Sequence, residues 1–304
     1  MAGQSAGCQT EASVFQNREI SGGEAVRCAA QYLAAHQIED ADNDAWLLFS
    51  YVTHITRAMF LAERRARMDQ EALERYEALL VRRAAHIPLQ HLTGEQEFMG
   101  FPFQVNEHVL VPRQDTEILV EEALKVLAPG DHVLDLCTGS GAIGVSIAKM
   151  CPKIKMVCSD ISSEALKIAE ENAQASGCKS VKFQEGDLFS PFCGKLRKRK
   201  FDLIITNPPY IQTDVIPTLQ REVKDHEPMS ALDGGKDGLD FYRRIAAEAP
   251  FHLNKNGVLM MEIGYDQRIS VTELLQQTAK FSDIICLQDL AGKDRIIAAK
   301  LIGK

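Results

Sequence analysis

His132-Val133-Leu134-Asp135-Leu136-Cys137-Thr138-Gly139-Ser140-Gly141-Ala142-Ile143-Gly144 is the stretch whose reading decides the fold. A short apolar run, the pattern of a buried strand, empties into a glycine turn that opens a helix. Glycine belongs in such a turn because the chain reverses tightly and its backbone must approach a ligand closely, where a Cβ would collide. Taken alone the turn is a weak signal: an ordinary strand-to-helix connection or a dinucleotide enzyme would read the same way.

Outward from it the grammar alternates. The pattern predicts a helix over 116–127, a strand at 132–136, a helix from Ala142, a strand at 155–159 and a helix from Ser163. Strands at 181–184, 202–206 and 258–262, a helix over 270–279, and strands near 284–287 and 295–301 follow. This is α/β with a mostly parallel sheet. The last two strands lack an intervening helix, so they should form a hairpin that leaves one terminal strand antiparallel. No internal repeat is visible.

Before this region the pattern is helical. Ser21 and Glu24 have capping-box spacing, and Val26, Ala29, Ala30 and Leu33 then share a face. A second helix after Asp42 carries Trp46, Leu48 and Phe49, and a third over 70–83 turns Leu73, Tyr76, Leu79 and Leu80 toward a common core. The aromatic, Gly and Pro mixture at 97–105 suggests a hairpin. The expected organisation is a helical domain over 1–90, a hairpin linker over 91–115 and an α/β domain over 116–304.

Bulk properties narrow the partners. With 304 residues, 45% of them hydrophobic, the chain can bury more than one compact core. Its 42 acidic against 34 basic residues give a formal net charge of -8, which disfavours nucleic acid as a direct partner. The run Lys195-Leu196-Arg197-Lys198-Arg199-Lys200 reads as a phosphate contact or a solvated loop, and the loop is the reading preferred here. Eight cysteines without a CxxC pair, and eight histidines without metal-ligand spacing, point to a reducing compartment and no metal. The first residues lack a signal-peptide pattern, and no apolar run is long enough to span a bilayer, so a cytoplasmic protein is expected.

Three further features fall at carboxyl ends of predicted strands, where open α/β sheets bind ligands. Asp160 ends the second strand and can accept both hydroxyls of a ribose, or else cap the following helix. Asp187, in Glu185-Gly186-Asp187-Leu188-Phe189, is placed to meet an adenine, although a turn aspartate reads the same. The fourth strand runs straight into Asn207-Pro208-Pro209-Tyr210, the most specific signal in the chain. A planar NH2 beside a carbonyl or in a ring has a delocalised lone pair and attacks a sulfonium methyl poorly, so a site must hold it in line. The Asn207 side-chain carbonyl and the Pro208 backbone carbonyl can each accept one of its N–H groups. The prolines stiffen the turn, and Tyr210 offers a flat face.

Asn-Pro-Pro-Tyr after such a glycine turn is similar to the amino-methyltransferases that modify adenine, cytosine or glutamine. With Pro88-Leu89-Gln90-His91-Leu92-Thr93-Gly94, Glu97-Phe98, Val111-Pro112-Arg113-Gln114-Asp115-Thr116-Glu117, Leu232-Asp233-Gly234-Gly235 and Gly238-Leu239-Asp240-Phe241-Tyr242, the chain resembles the release-factor glutamine methyltransferases of the HemK/PrmC family. The resemblance implies a class I S-adenosylmethionine-dependent methyltransferase domain behind a helical substrate-docking domain. The implied substrate is the glutamine of the Gly-Gly-Gln motif of class 1 peptide-chain release factors, and the implied enzyme is a monomer. S-adenosylmethionine would touch Cys137, Thr138, Gly139, Ser140, Gly141, Asp160, Asp187, Leu188 and Asn207. Asn207, Pro208, Pro209 and Tyr210 would hold the glutamine, with Asn207, Pro208 and Tyr210 catalytic. The chain departs from the family pattern at Gln114, Cys137 and Leu188, where proline, glycine and an aromatic residue are usual. The rival readings are glutamine methylation of a ribosomal protein, adenine N-methylation of nucleic acid, and a non-catalytic scaffold with a decayed site.

Overall fold

The computed structural model describes residues 14–15, 19–193 and 200–303; the basic run at 195–199 lies outside them. The chain divides into two compact units, Met1–Thr93 and Gly94–Lys304.

In the first unit, α1 (Gly22–Ala35) starts at a complete capping box: Ser21 Oγ accepts the Glu24 N–H and Glu24 Oε2 accepts the Ser21 N–H. The expected face is the buried one, with Ala25 added and Val26 only half-buried. It packs with α2 (Ala41–Thr53), which buries Trp46, Leu48 and Phe49, and α4 (Gln70–Ala84), which buries Leu73, Tyr76 and Leu80. Two short helices were not anticipated. In α3 (Arg57–Glu63) only Phe60 is buried, and in α5 (Leu89–Thr93) only Leu92, so neither repeats its apolar period.

The second unit opens with a hairpin, β1 (Glu95–Phe98) and β2 (Phe101–Gln104), in the register Phe98↔Phe101. Met99 (φ 53) and Gly100 (φ 74) turn it in the left-handed region, the two-residue geometry that matches strand twist. Glu117 on α6 (Gln114–Val126) accepts the Met99 N–H at 2.6 Å, and Phe98 and Phe103 sit in one core with Leu119, Val120 and Ala123. Gln114 occupies the first position of α6, where a proline would also be accommodated because no intrahelical bond needs its N–H.

The sheet follows: β3 (His132–Leu136), α7 (Ala142–Met150), β4 (Lys155–Asp160), α8 (Ser163–Ala175), β5 (Lys182–Glu185) and β6 (Phe201–Thr206). Next come α9 (Arg221–Lys224), α10 (Met229–Leu232), α11 (Asp240–His252), β7 (Leu253–Glu262), α12 (Arg268–Gln277), β8 (Phe281–Gln288) and β9 (Asp294–Leu301). The strand order is β5-β4-β3-β6-β7-β9-β8. Strands β3 to β7 run parallel, and β9 is antiparallel to both its neighbours, as the missing final helix predicts. β7 begins at Leu253 instead of near 258, its pairing with β6 shifting register between Phe201 and Leu203. The polar Asn254-Lys255-Asn256-Gly257 segment hides this extension from an apolar-run reading. The order reverses between β3 and β6, which opens a crevice at their carboxyl ends. Among the described residues no helix is long and apolar enough to cross a membrane.

Candidate active site

β3 delivers the chain into the turn, where Cys137 (φ 57), Gly139 (φ 54) and Gly141 (φ 81) are all left-handed. Cys137 adopts that φ against the preference of a residue with a Cβ, where a glycine would sit without strain. A Cβ on Gly139 would meet no atom within 4 Å, so the backbone there borders open space. On Gly141 it would stand 3.0 Å from the Ala169 Cβ, so that glycine answers to the packing of α7 on α8. Beneath the turn, Asp135 is fully buried and accepts the Thr138 hydroxyl at 2.6 Å and the Gly144 N–H at 3.0 Å. Burial pushes its carboxyl up to about 7 against the pull of those two bonds, and the Asp160 charge adds to the rise.

Asp160 closes β4. Its Oδ2 accepts the Gly139 N–H at 2.9 Å and its Oδ1 the Ser162 N–H at 3.0 Å, tying the strand end to the glycine turn. The cap of α8 is Ser162, whose Oγ accepts the Ala165 N–H at 3.1 Å, so capping does not account for the Asp160 carboxylate. Burial raises its pKa. Beyond β5, Asp187 forms an ion pair of 2.7 Å with Arg244 of α11, while Leu188 (φ 47) is buried.

Asn207 leaves β6 with its Nδ2 donating to Thr116 Oγ1 at 3.4 Å. Thr116 donates to Glu262 Oε2 at 2.7 Å, and the Tyr210 hydroxyl donates to Glu262 Oε1 at 3.2 Å. Burial raises the pKa of Glu262 and also that of Tyr210, whose ring packs against the main core. The loop after α10 fits closely round Tyr210. A Cβ on Gly234 would lie 2.7 Å from its Cα, and one on Gly238 2.4 Å from its carbonyl oxygen. Gln267 Nε2 joins the two segments, donating to the Tyr210 carbonyl at 3.0 Å and the Gly238 carbonyl at 3.2 Å. The glycines of this loop therefore answer to a close approach that their spacing does not announce.

A cavity of about 420 Å³ occupies the crevice. Of the predicted residues, Cys137, Thr138, Gly139, Ser140, Asp160, Asp187, Leu188, Asn207 and Pro209 line it. Gly141, Pro208 and Tyr210 are not in its wall. Arg113, Thr116 and Arg244 are, and only the first two fall within a motif that the sequence singled out. An open glycine turn beside a carboxylate at the next strand end fits a ribose-bearing cofactor, and the same cavity is lined by the Asn207 amide. Among the described residues no three His, Cys, Asp or Glu side chains cluster to hold a metal ion.

Fold and site together define a Rossmann-like methyltransferase domain. The profile described as methyltransferase small domain matches residues 114–223. A methyltransferase from Pyrococcus furiosus shares the fold with a TM-score of 0.50 and 18% identity, covering 68% of this chain and 91% of that one. The profile of the PrmC N-terminal domain matches residues 24–94. The release factor glutamine methyltransferase of Moorella thermoacetica is 41% identical over 91% of this chain and 96% of its own length. That of Clostridium acetobutylicum is 40% identical over 84% of this chain and 90% of its own. The chain belongs to the family of release factor glutamine methyltransferases.

Proposed function

We propose that this protein transfers the methyl group of S-adenosylmethionine to the side-chain amide nitrogen of the glutamine in the Gly-Gly-Gln motif of class 1 peptide-chain release factors. The observation that carries the reading is that Asn207 shares one cavity with Gly139 and Asp160, its NH2 engaged by Thr116. Bound against the glycine turn, the cofactor supplies a methyl on a positively charged sulfur. Cys137, Thr138, Gly139 and Ser140 hold it on one side, Asp160 takes its ribose hydroxyls, and Asp187 and Leu188 border its base.

Asn207 Oδ1 and the Pro208 carbonyl accept the two N–H groups of the substrate amide, which orients a weak nucleophile and draws electron density toward its nitrogen. Pro208 and Pro209 keep the carbonyl direction fixed. Tyr210, held by its hydroxyl bond to Glu262, braces the segment. Proximity and exclusion of water do most of the work, because the sulfonium charge is lost as the bond forms. The helical unit docks the release factor, and the enzyme acts as a cytoplasmic monomer without nucleic acid.

The test is transfer of labelled methyl to a purified release factor, beside a variant whose Gly-Gly-Gln glutamine is replaced. Label on the unaltered factor alone is the expected result, and the enzyme carrying Asn207→Ala should bind S-adenosylmethionine yet transfer none. Absence of label on both factors with cofactor bound would overturn the substrate and turn attention to a ribosomal protein.

A further inference from the structure

A side-chain amide keeps its shape when it rotates by half a turn, so Asn207 could present either its carbonyl or its NH2 to the cavity. Only the carbonyl can receive a substrate N–H, and something in the fold must therefore choose. Two residues from distant elements, Thr116 of α6 and Glu262 of β7, converge on that choice.

Glu262, at the end of β7, is 3% exposed and receives two hydroxyls, Tyr210 at Oε1 and Thr116 at Oε2. Burial raises its pKa, while the Thr116 hydroxyl, the Arg295 charge and the Tyr210 hydroxyl pull the other way and favour the anion that two donated hydroxyls imply. A carboxylate has no proton to give, so the Thr116 hydroxyl spends its single proton on Oε2 and can then only accept. What it accepts from is Asn207 Nδ2. The NH2 end of the amide is thereby engaged, and the carbonyl oxygen is the acceptor that Asn207 brings to the cavity wall.

We infer that Thr116 and Glu262 are positioning residues, a relay that fixes the Asn207 amide with its carbonyl available to the substrate. The inference rests on the reading that Asn207 accepts an N–H of the target glutamine. The Thr116–Glu262 bond spans 146 positions of sequence and the Asn207–Thr116 bond spans 91, so the relay exists only once α6, β6 and β7 have packed.

The experiment measures kcat, KM for the release factor and the cofactor dissociation constant for wild type, Thr116→Val and Thr116→Ser, with thermal midpoints alongside. Thr116→Val preserves shape and removes the acceptor, so kcat should fall at least about tenfold, the scale of a mispositioned reacting group, with cofactor affinity nearly unchanged. Thr116→Ser restores the hydroxyl and should recover most of the lost turnover at a similar thermal midpoint, which a purely structural role would not produce. Should Thr116→Val fail to fold, Glu262→Gln carries the test: it puts an N–H donor where a hydroxyl had an acceptor, and kcat should again fall with the cofactor still bound. Wild-type kcat in either folded variant, or no recovery with serine, overturns the relay. A wild-type enzyme that leaves the glutamine unmethylated defeats the underlying reading instead, and the relay falls with it.

Discussion

Asp187 and Arg244 close an ion pair of 2.7 Å across the cavity rim, between the residues after β5 and the second turn of α11. Their side chains are 47% and 43% exposed, so the pair lies in the range where surface bridges contribute about 0–1 kcal/mol. Arg244→Ala should shift unfolding free energy by less than about 1 kcal/mol while loosening Asp187. A several-fold weaker S-adenosylmethionine dissociation constant, measured by calorimetric titration, is expected. Unchanged affinity would mean that Arg244 does not set the Asp187 carboxylate for the cofactor.

Asp160→Ala removes an acceptor from the cavity and releases the Gly139 N–H together. Cofactor affinity should drop by roughly 1.5–3 kcal/mol, the scale of hydrogen bonds to charged groups. Titration with S-adenosylmethionine decides it, and wild-type affinity would remove Asp160 from the site.

Gly234→Ala needs no unusual backbone angle, so its whole cost is steric. The new Cβ would stand 2.7 Å from the Tyr210 Cα and 2.8 Å from its carbonyl carbon, atoms that cannot swing aside. The Asn207–Tyr210 segment must move, and kcat should fall on the order of a hundredfold with cofactor affinity little changed. Steady-state kinetics showing a cofactor defect in place of a kcat defect would refute the geometry.

Asp135 makes stability depend on pH. Its carboxyl is pushed up to about 7 in the folded protein, chiefly by burial, so between its ordinary range near 4 and that value the unfolded chain loses the proton while the folded one keeps it. This contribution to stability is present in acid and is lost as pH rises through about 7, by up to about 1.4 kcal/mol per pH unit. Asp135→Asn, which cannot ionise, should gain on wild type from pH 5 to 7 and hold a constant difference above. Chemical denaturation across that range tests it; a pH-independent difference would place the carboxyl's titration elsewhere.

What the sequence disclosed is what is local. The glycine turn, the strand ends at Asp160 and Asn207, and the final antiparallel strand each follow from short-range pattern, because strand, turn and helix leave their periods in adjacent residues. Thr116, Glu262 and Arg244 escaped notice as site residues because their roles arise from packing between distant segments. Tyr210 was read as a flat face for the substrate; what its sequence position does not show is that its half-buried ring packs against the core and its hydroxyl is bonded to Glu262. Gly234 and Gly238 were quoted only for family likeness, their physical reason being visible only beside Tyr210. The short α3 and α5 carry too few turns to establish a helical period.

The position of β9 ties the closure of the sheet to the surroundings of Glu262. It is the last of the described strands in sequence, yet it sits inside the sheet between β7 and β8, and it brings Arg295 to the neighbourhood of Glu262. Without β9, neither the β7 edge nor β8 has its partner in this sheet. The charge beside Glu262 thus comes from the same strand that joins β8 to the sheet, so a chain lacking β9 would lose both the sheet closure and that charge.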